Sequence, residues 1–204
     1  VVALAGNPNV GKSTVFNELT GLNQHTGNWP GKTVANAQGD CTYEGRPYIL
    51  VDIPGAYSLM AHSAEEEVAR DFLCFGGADA AVVVCDATCL ERNLNLVLQT
   101  LEITERVVVC VNLMDEAEKK HIRIDFDQLE QNLGVPVVPA AARSGRGVRE
   151  VMAAVERVTA EKPSPTRIRY TRPIEEAIAL LQPALEPLLE GRVNSRWAAL
   201  RLIE

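Results

Sequence analysis

Short apolar runs alternate along this chain with stretches of helical periodicity. The apolar runs predict strands at Val2–Ala5, Gln38–Tyr43, Tyr48–Asp52, Ala80–Cys85, Val107–Val111 and Val135–Val138. Val107–Val111 is apolar throughout, as a strand buried on both faces requires. Between the strands, spacing near 3.6 predicts helices at Lys12–Leu19, Ala64–Cys74, Leu90–Leu101, Phe126–Leu133 and Val148–Val158. Asp125 followed by Gln128 resembles a capping box at the fourth of these. Such alternation implies an α/β fold with a mainly parallel six-stranded sheet and helices on both faces. Ligands bind such sheets beyond the carboxyl ends of the strands.

The pattern changes after residue 160. Residues 161–172 contain Pro163, Ser164 and Pro165 and read as a linker. Pro173–Leu189 and Ser195–Ile203 then read as amphipathic helices interrupted by Pro183, Pro187 and Gly191. This gives a first domain at 1–160 and a small, incomplete all-helical domain at 173–204. The chain begins inside a strand without Met and stops inside a helix, as expected of a fragment of a longer protein. The longest apolar runs fall well short of the roughly 18 residues that a membrane span needs.

Composition narrows the picture only a little. A net charge of −7 disfavours a broad nucleic-acid surface. Five cysteines stand singly, and Cys85 and Cys89 do not form a C-x-x-C pair, so buried, reduced thiols are expected.

Candidate chemistry begins where the first strand ends. Gly6-Asn7-Pro8-Asn9-Val10-Gly11-Lys12-Ser13 has the spacing G-x-x-x-x-G-K-S and is followed by Thr14 and a helical pattern. Glycines let several backbone N–H groups converge on a phosphate, and the helix N-terminus adds its dipole. Lys12 is placed to reach the β- and γ-phosphates and the Ser13 hydroxyl to ligate Mg²⁺. A glycine-rich turn is the plain alternative, which the flanking strand and helix disfavour.

Two further motifs follow in order. Asp52-Ile53-Pro54-Gly55 ends a strand, where Asp52 can hold a Mg²⁺-bound water and the Gly55 N–H can meet the γ-phosphate. Asn112-Leu113-Met114-Asp115 follows another strand. Guanine offers two donors on one edge that the Asp115 carboxylate can accept, whereas adenine offers none there. Asn112 is expected to hold the loop, and Ala141-Ala142-Arg143 to close on the base through backbone N–H groups. Thr33 lies in a segment rich in Gly, Asn and Pro and can complete the Mg²⁺ shell when a γ-phosphate is present. Together these elements predict a GTP-binding domain of the P-loop GTPase fold.

The stretches GNPNVGKST, Gly27-Asn28-Trp29-Pro30-Gly31-Lys32-Thr33-Val34 and Asp52-Ile53-Pro54-Gly55-Ala56-Tyr57-Ser58-Leu59 resemble the bacterial ferrous iron transport protein B family. The resemblance covers Val1 to about Thr159. His121 and Ala141 depart from it, at positions where glycine and serine are usual. It implies a GTPase on the cytoplasmic face of the inner membrane, forming part of an Fe²⁺ transporter. Partners implied are GTP and GDP, the transmembrane portion of the same polypeptide and small accessory proteins of iron uptake. A homo-oligomer is compatible, and no nucleic-acid partner is expected.

The resemblance also bears on hydrolysis. Ala56 occupies the position where many small GTPases carry a water-orienting glutamine. The family resembles GTPases that use K⁺ instead, and Asn9 matches the asparagine that ligates it, although Pro-Asn is also a common turn pair. The expected catalytic set is therefore Asn9, Lys12, Thr33 and Gly55, with Mg²⁺ and K⁺ as cofactors and residues 27–33 as the first switch. Glu65, Glu66 and Glu67 could position water, but a solvated helix start is the simpler reading. Glu102 and Glu105 read as a solvated helix face rather than an iron site. Two other functions stay open on these residues: a soluble GTPase of ribosome assembly or tRNA modification, and a nucleotide-dependent binding switch with negligible hydrolysis.

Overall fold

A computed structural model describes residues 1–22, 24–29, 34–161 and 163–203. Among the described residues seven strands form one sheet: β1 (Val2–Gly6), β2 (Gln24–Asn28), β3 (Ala35–Tyr43), β4 (Arg46–Asp52), β5 (Ala80–Asp86), β6 (Val107–Asn112) and β7 (Val137–Pro139). Their order is β2-β3-β4-β1-β5-β6-β7. β1 runs parallel to both β4 and β5, and β5, β6 and β7 continue in parallel. β3 is antiparallel to β4 and to β2.

The sheet thus has one strand more than the sequence pattern predicts. β2 reads Gln-His-Thr-Gly-Asn and carries no apolar signal, because it is an edge strand held by backbone pairing with β3 alone. Gly27 and Asn28, expected in a switch loop, are the last residues of this strand. Pro30, Gly31, Lys32 and Thr33 of that expected switch lie outside the described residues.

The helices are α1 (Lys12–Thr20), α2 (Ala64–Phe75), α3 (Leu90–Ile103), α4 (Met114–Lys119), α5 (Phe126–Leu133), α6 (Val148–Ala160), α7 (Arg172–Leu189) and α8 (Ser195–Ile203). Alternate side chains of the central strands enter two cores on opposite faces of the sheet. Val83, Val109 and Val111 pack with Leu96, Val97 and Leu101 of α3, whereas Val82, Val84 and Val108 pack with Phe16 of α1 and Val151 and Val155 of α6. Both-face burial explains the continuous apolar runs of β5 and β6. Helix α5 starts at its predicted cap, with the Asp125 carboxylate accepting from the Gln128 N–H at 3.0 Å. The six-residue α4 is too short for periodicity to reveal.

Helix α7 runs unbroken through Pro183 and Pro187, contrary to the expected interruption. Both prolines are exposed and four residues apart, so their rings share a solvent face where water can satisfy the freed carbonyls. On the opposite face Ile178, Leu181 and Leu185 pack against Ala199 and Leu200 of α8. Arg196 of α8 donates to Glu175 at 2.7 and 2.9 Å and to the Ile168 carbonyl at 2.9 Å, tying α8 to α7 and to the segment before it. This C-terminal part meets the α/β part where the Tyr170 hydroxyl, just before α7, donates to Glu102 and where Arg201 of α8 reaches Met60 Sδ at 3.0 Å. Glu102, read from the sequence as solvated, is therefore part of this contact. No helix among the described residues is long and apolar enough to cross a membrane.

Candidate functional site

The turn from β1 into α1 forms the floor of a cavity of about 500 Å³, lined by Asn7, Pro8, Asn9, Gly11, Lys12, Ser13, Thr14 and Gly55. Its location, beyond the carboxyl end of the central strand and at the N-terminus of a helix, suits an anion. Gly11 is the N-cap of α1 with φ of +80°. A Cβ there would lie 2.5 Å from Asn112 Nδ2, so glycine answers both a backbone and a packing demand. Gly55 faces the same turn, its Cα hydrogen pointing at Pro8, where a Cβ would come within 3.3 Å of backbone. The Ala56 N–H donates to the Gly6 carbonyl at 3.2 Å and the Ile53 N–H to the Leu4 carbonyl at 3.1 Å, so β1 carries the whole Asp52–Gly55 turn.

Lys12, which lines the cavity, forms an ion pair with Asp52, their side chains only 11% and 15% exposed. Burial raises the Asp52 pKa above the usual carboxylate value, and the adjacent Lys12 ammonium partly offsets this. Asn7 is buried, and neither its amide N nor its amide O has a hydrogen-bond partner. Orphaned amide atoms beside a cavity of this kind suit a polar ligand that brings both donors and acceptors. Asn9 stands exposed at the lip with φ of +67°, a left-handed conformation that asparagine tolerates well.

Asn112 joins the other two motifs to this turn. Its Nδ2 donates to the Val10 carbonyl at 3.0 Å, and its Oδ1 accepts from the Ala142 N–H at 3.0 Å. One side chain, 1% exposed, thereby links the phosphate-type turn to the loop that carries Ala141, Ala142 and Arg143. Leu113 adopts φ of +63°, and the Met114 N–H donates to the Ala140 carbonyl at 3.1 Å. Asp115 follows in the first turn of α4, half-buried. Ala141 and Ala142 are buried and open a 3₁₀ turn (Ala142–Ser144), while Arg143 is exposed. At Ala141, where serine is usual, the backbone N–H donates to the Arg146 carbonyl at 2.9 Å, so the loop closes through main chain. His121 holds φ of +57°, which explains why glycine suits that position.

Thr33, the expected ligand completing a Mg²⁺ shell, lies outside the described residues. Trp29, four residues earlier in the chain, is described: its ring meets Phe72 of α2 edge-on, with centroids 5.2 Å apart. Glu65–Glu67 begin α2, whose N-cap Ser63 accepts from the Glu66 N–H at 3.2 Å, while Glu66 Oε2 accepts from the His62 N–H at 3.1 Å. Glu66 is thus occupied at its own helix end, in the manner of a capping box. Four of the five free cysteines are buried; Cys89, just before α3, is exposed and departs from the expectation of buried thiols. No group of three or more His, Cys, Asp or Glu among the described residues could hold a metal ion.

Comparison with known proteins places these features in a family. The family model described as ferrous iron transport protein B matches residues 1–155. The Fe(2+) transporter FeoB of Escherichia coli K12 is 38% identical over 210 aligned residues, which include all of this chain and 26% of that protein. The chain therefore spans about a quarter of the length of the curated relatives it matches. Among solved structures, the cytosolic domain of the T. maritima FeoB iron transporter in GMPPNP form superposes with a TM-score of 0.89 at 37% identity, covering 98% of this chain and 79% of that one. The cytosolic domain of L. pneumophila FeoB gives 0.87 at 34% identity, with 98% and 78% covered.

Proposed function

The chain belongs to the ferrous iron transport protein B family, and on that premise we propose that it binds GTP with Mg²⁺ and hydrolyses it slowly. Within a longer polypeptide it serves as the nucleotide switch of an Fe²⁺ uptake transporter, at the cytoplasmic face of the inner membrane. Residues 1–160 form the GTP-binding domain, 161–172 a linker and 173–204 part of a helical domain. Relatives solved with GDP and GMPPNP support the nucleotide class. The observation that carries the reading is the cradle at Asn7–Ser13, tied through Asn112 to the Ala142 loop. That tie sets the phosphate and base ends of one ligand at a fixed separation.

Lys12 would exchange Asp52 for phosphate oxygens, and Asp52 would then be free to hold a metal-bound water. Ser13 and Thr33 supply hydroxyl ligands of the kind Mg²⁺ prefers. Asp115 would accept from the two guanine donors, while the Ala142 N–H, already given to Asn112, holds the loop rather than the base. Ala56 is 3% exposed and its methyl cannot orient water. Stabilising the charge that develops on the phosphoryl group therefore falls to Lys12, the Gly55 N–H and a monovalent cation. The oxygen-bearing side chain of Asn9, at the lip of the cradle, is the ligand assigned to K⁺.

GTP hydrolysis measured in K⁺ and in Na⁺ buffer, with Asn9→Ala beside the wild type, tests this reading. Stimulation by K⁺ of about tenfold or more, lost in the variant, is expected. Equal rates in both salts would overturn the K⁺ assignment, and failure to hydrolyse GTP in either would overturn the GTPase.

A further inference from the structure

The segment that follows Gly55 is held from outside the nucleotide cradle. Helix α3 presents Arg92, Asn95 and Gln99 at i, i+3 and i+7, a spacing that places them on one face. The Arg92 guanidinium lies 4.4 Å from the centroid of the Tyr57 ring. Asn95 Nδ2 donates to the Tyr57 carbonyl at 3.4 Å, and Gln99 Oε1 accepts from the Leu59 N–H at 2.6 Å. All three contacts fall on residues two to four positions beyond Gly55. None of the three side chains lines the cavity.

Apolar packing alone would not need this arrangement. Leu59 is 4% exposed and already sits in the core. A leucine at position 99 would pack there too, but it would leave the Leu59 N–H without an acceptor. The polar contacts fix the path of the backbone as well as its burial. At the other end, Ile53 and Ala56 are bonded to β1. Gly55 thus lies between two residues bonded to β1, and α3 holds the chain that leaves them, at Tyr57 and Leu59.

We propose that Arg92 and Gln99 are positioning residues for GTP hydrolysis, setting from α3 the place of the Gly55 N–H against the γ-phosphate. The proposal rests on the GTPase reading above. With alanine at position 56, no side chain can compensate for a displaced main chain there, so the rate depends on where the backbone is held. Binding of GDP, which uses the P-loop and the base-side loops, depends on it far less. Asn95, whose bond to the Tyr57 carbonyl is at the long end of hydrogen-bond geometry, contributes less than Gln99.

Single-turnover GTP hydrolysis and GDP affinity, measured on wild type, Gln99→Leu, Gln99→Glu, Arg92→Ala and Tyr57→Phe, form the test. Gln99→Leu and Arg92→Ala are expected to slow hydrolysis by about fivefold, with GDP affinity changed by less than about twofold. Gln99→Glu keeps an acceptor for the Leu59 N–H, and Tyr57→Phe keeps the ring under Arg92, so both should retain most of the rate. A fall in hydrolysis and GDP affinity together would show a general structural role and overturn the proposal. So would an active wild type matched by equally active Gln99→Leu and Arg92→Ala. A wild type inert toward GTP would instead overturn the GTPase reading, and this inference with it.

Discussion

Residues 1–160 and the helical pair α7–α8 solve the problem of burial differently. In the first, a parallel sheet lies between helices, and strands such as β5 and β6 bury side chains on both faces. The helical pair has a buried centre of Ile178, Ala199 and Leu200, framed by half-buried Ile174, Leu181 and Leu185. Its large side chains Leu180, Leu188 and Leu202 are 80%, 77% and 65% exposed. Two helices facing each other cover one stripe apiece, whereas a sheet between two helical layers covers both of its faces. The pair compensates with polar fastenings: Arg196 to Glu175 and Ile168, and Tyr170 to Glu102. The first region is held mainly by apolar packing, whereas the second adds polar contacts to a smaller apolar centre, with Trp197 of α8 packing onto the core of the first.

Core truncation should separate the two regions most clearly. Leu4→Ala, in the central strand and fully buried, is expected to destabilise residues 1–160 by about 3–5 kcal/mol in chemical denaturation, with loss of nucleotide binding. Ile178→Ala should loosen α7 and α8 while leaving nucleotide affinity intact, as read by hydrogen exchange confined to those helices. Equal loss of binding from both variants would mean the regions unfold as one.

Asn112→Ala removes one side chain but leaves the Val10 carbonyl and the Ala142 N–H buried without partners. A cost of about 2–4 kcal/mol is expected, with weaker nucleotide binding. A variant as stable as wild type would show that water enters the site and that the tie carries little.

Acid should act on the helical pair through Glu175. The Arg196 guanidinium, joined by the Tyr170 N–H, holds its carboxyl down at about 2, against an ordinary value of 4.5. A depressed carboxylate pKa contributes stability that is present above the ordinary value and lost as pH falls through the native one. The α7–α8 contact should therefore weaken from about pH 4.5 down toward 2. Glu175→Gln should remove that dependence, and hydrogen exchange in α7 and α8 at stepped pH would read it.

Thiol reactivity gives the smallest and most local comparison. Cys89 should be alkylated in the native state well before Cys41, Cys74, Cys85 and Cys110. Burial pushes the Cys74 and Cys110 thiols up to about 12, keeping the reactive thiolate scarce. Peptide mass mapping after brief alkylation would show whether the others are as protected as their burial implies.

The site was legible in the sequence where local chain geometry dictates chemistry. A G-x-x-x-x-G-K-S turn can be recognised because its glycines, lysine and hydroxyl act within eight consecutive residues. Strands buried on both faces were equally visible, because a run such as Val107–Val111 has few other uses. β2 was not, since an edge strand held by backbone bonds needs no apolar residues. The unbroken course of α7 through Pro183 and Pro187 was hidden for a related reason. A proline's effect depends on whether it faces solvent, and that depends on where α8 packs.

Local sequence therefore dictated the alternation of strands and helices, the glycine-rich turn from β1 into α1 and the order of the three motifs. Each of these arises from residues close together along the chain. Tertiary structure alone decided that Asn112 bridges Val10 and Ala142, positions 102 residues before it and 30 after it. It also decided that Glu102 meets Tyr170 and that Arg92 and Gln99 hold the segment beyond Gly55. Spacing along a chain carries no record of such pairings, because long-range contacts are set by how packed elements share one core.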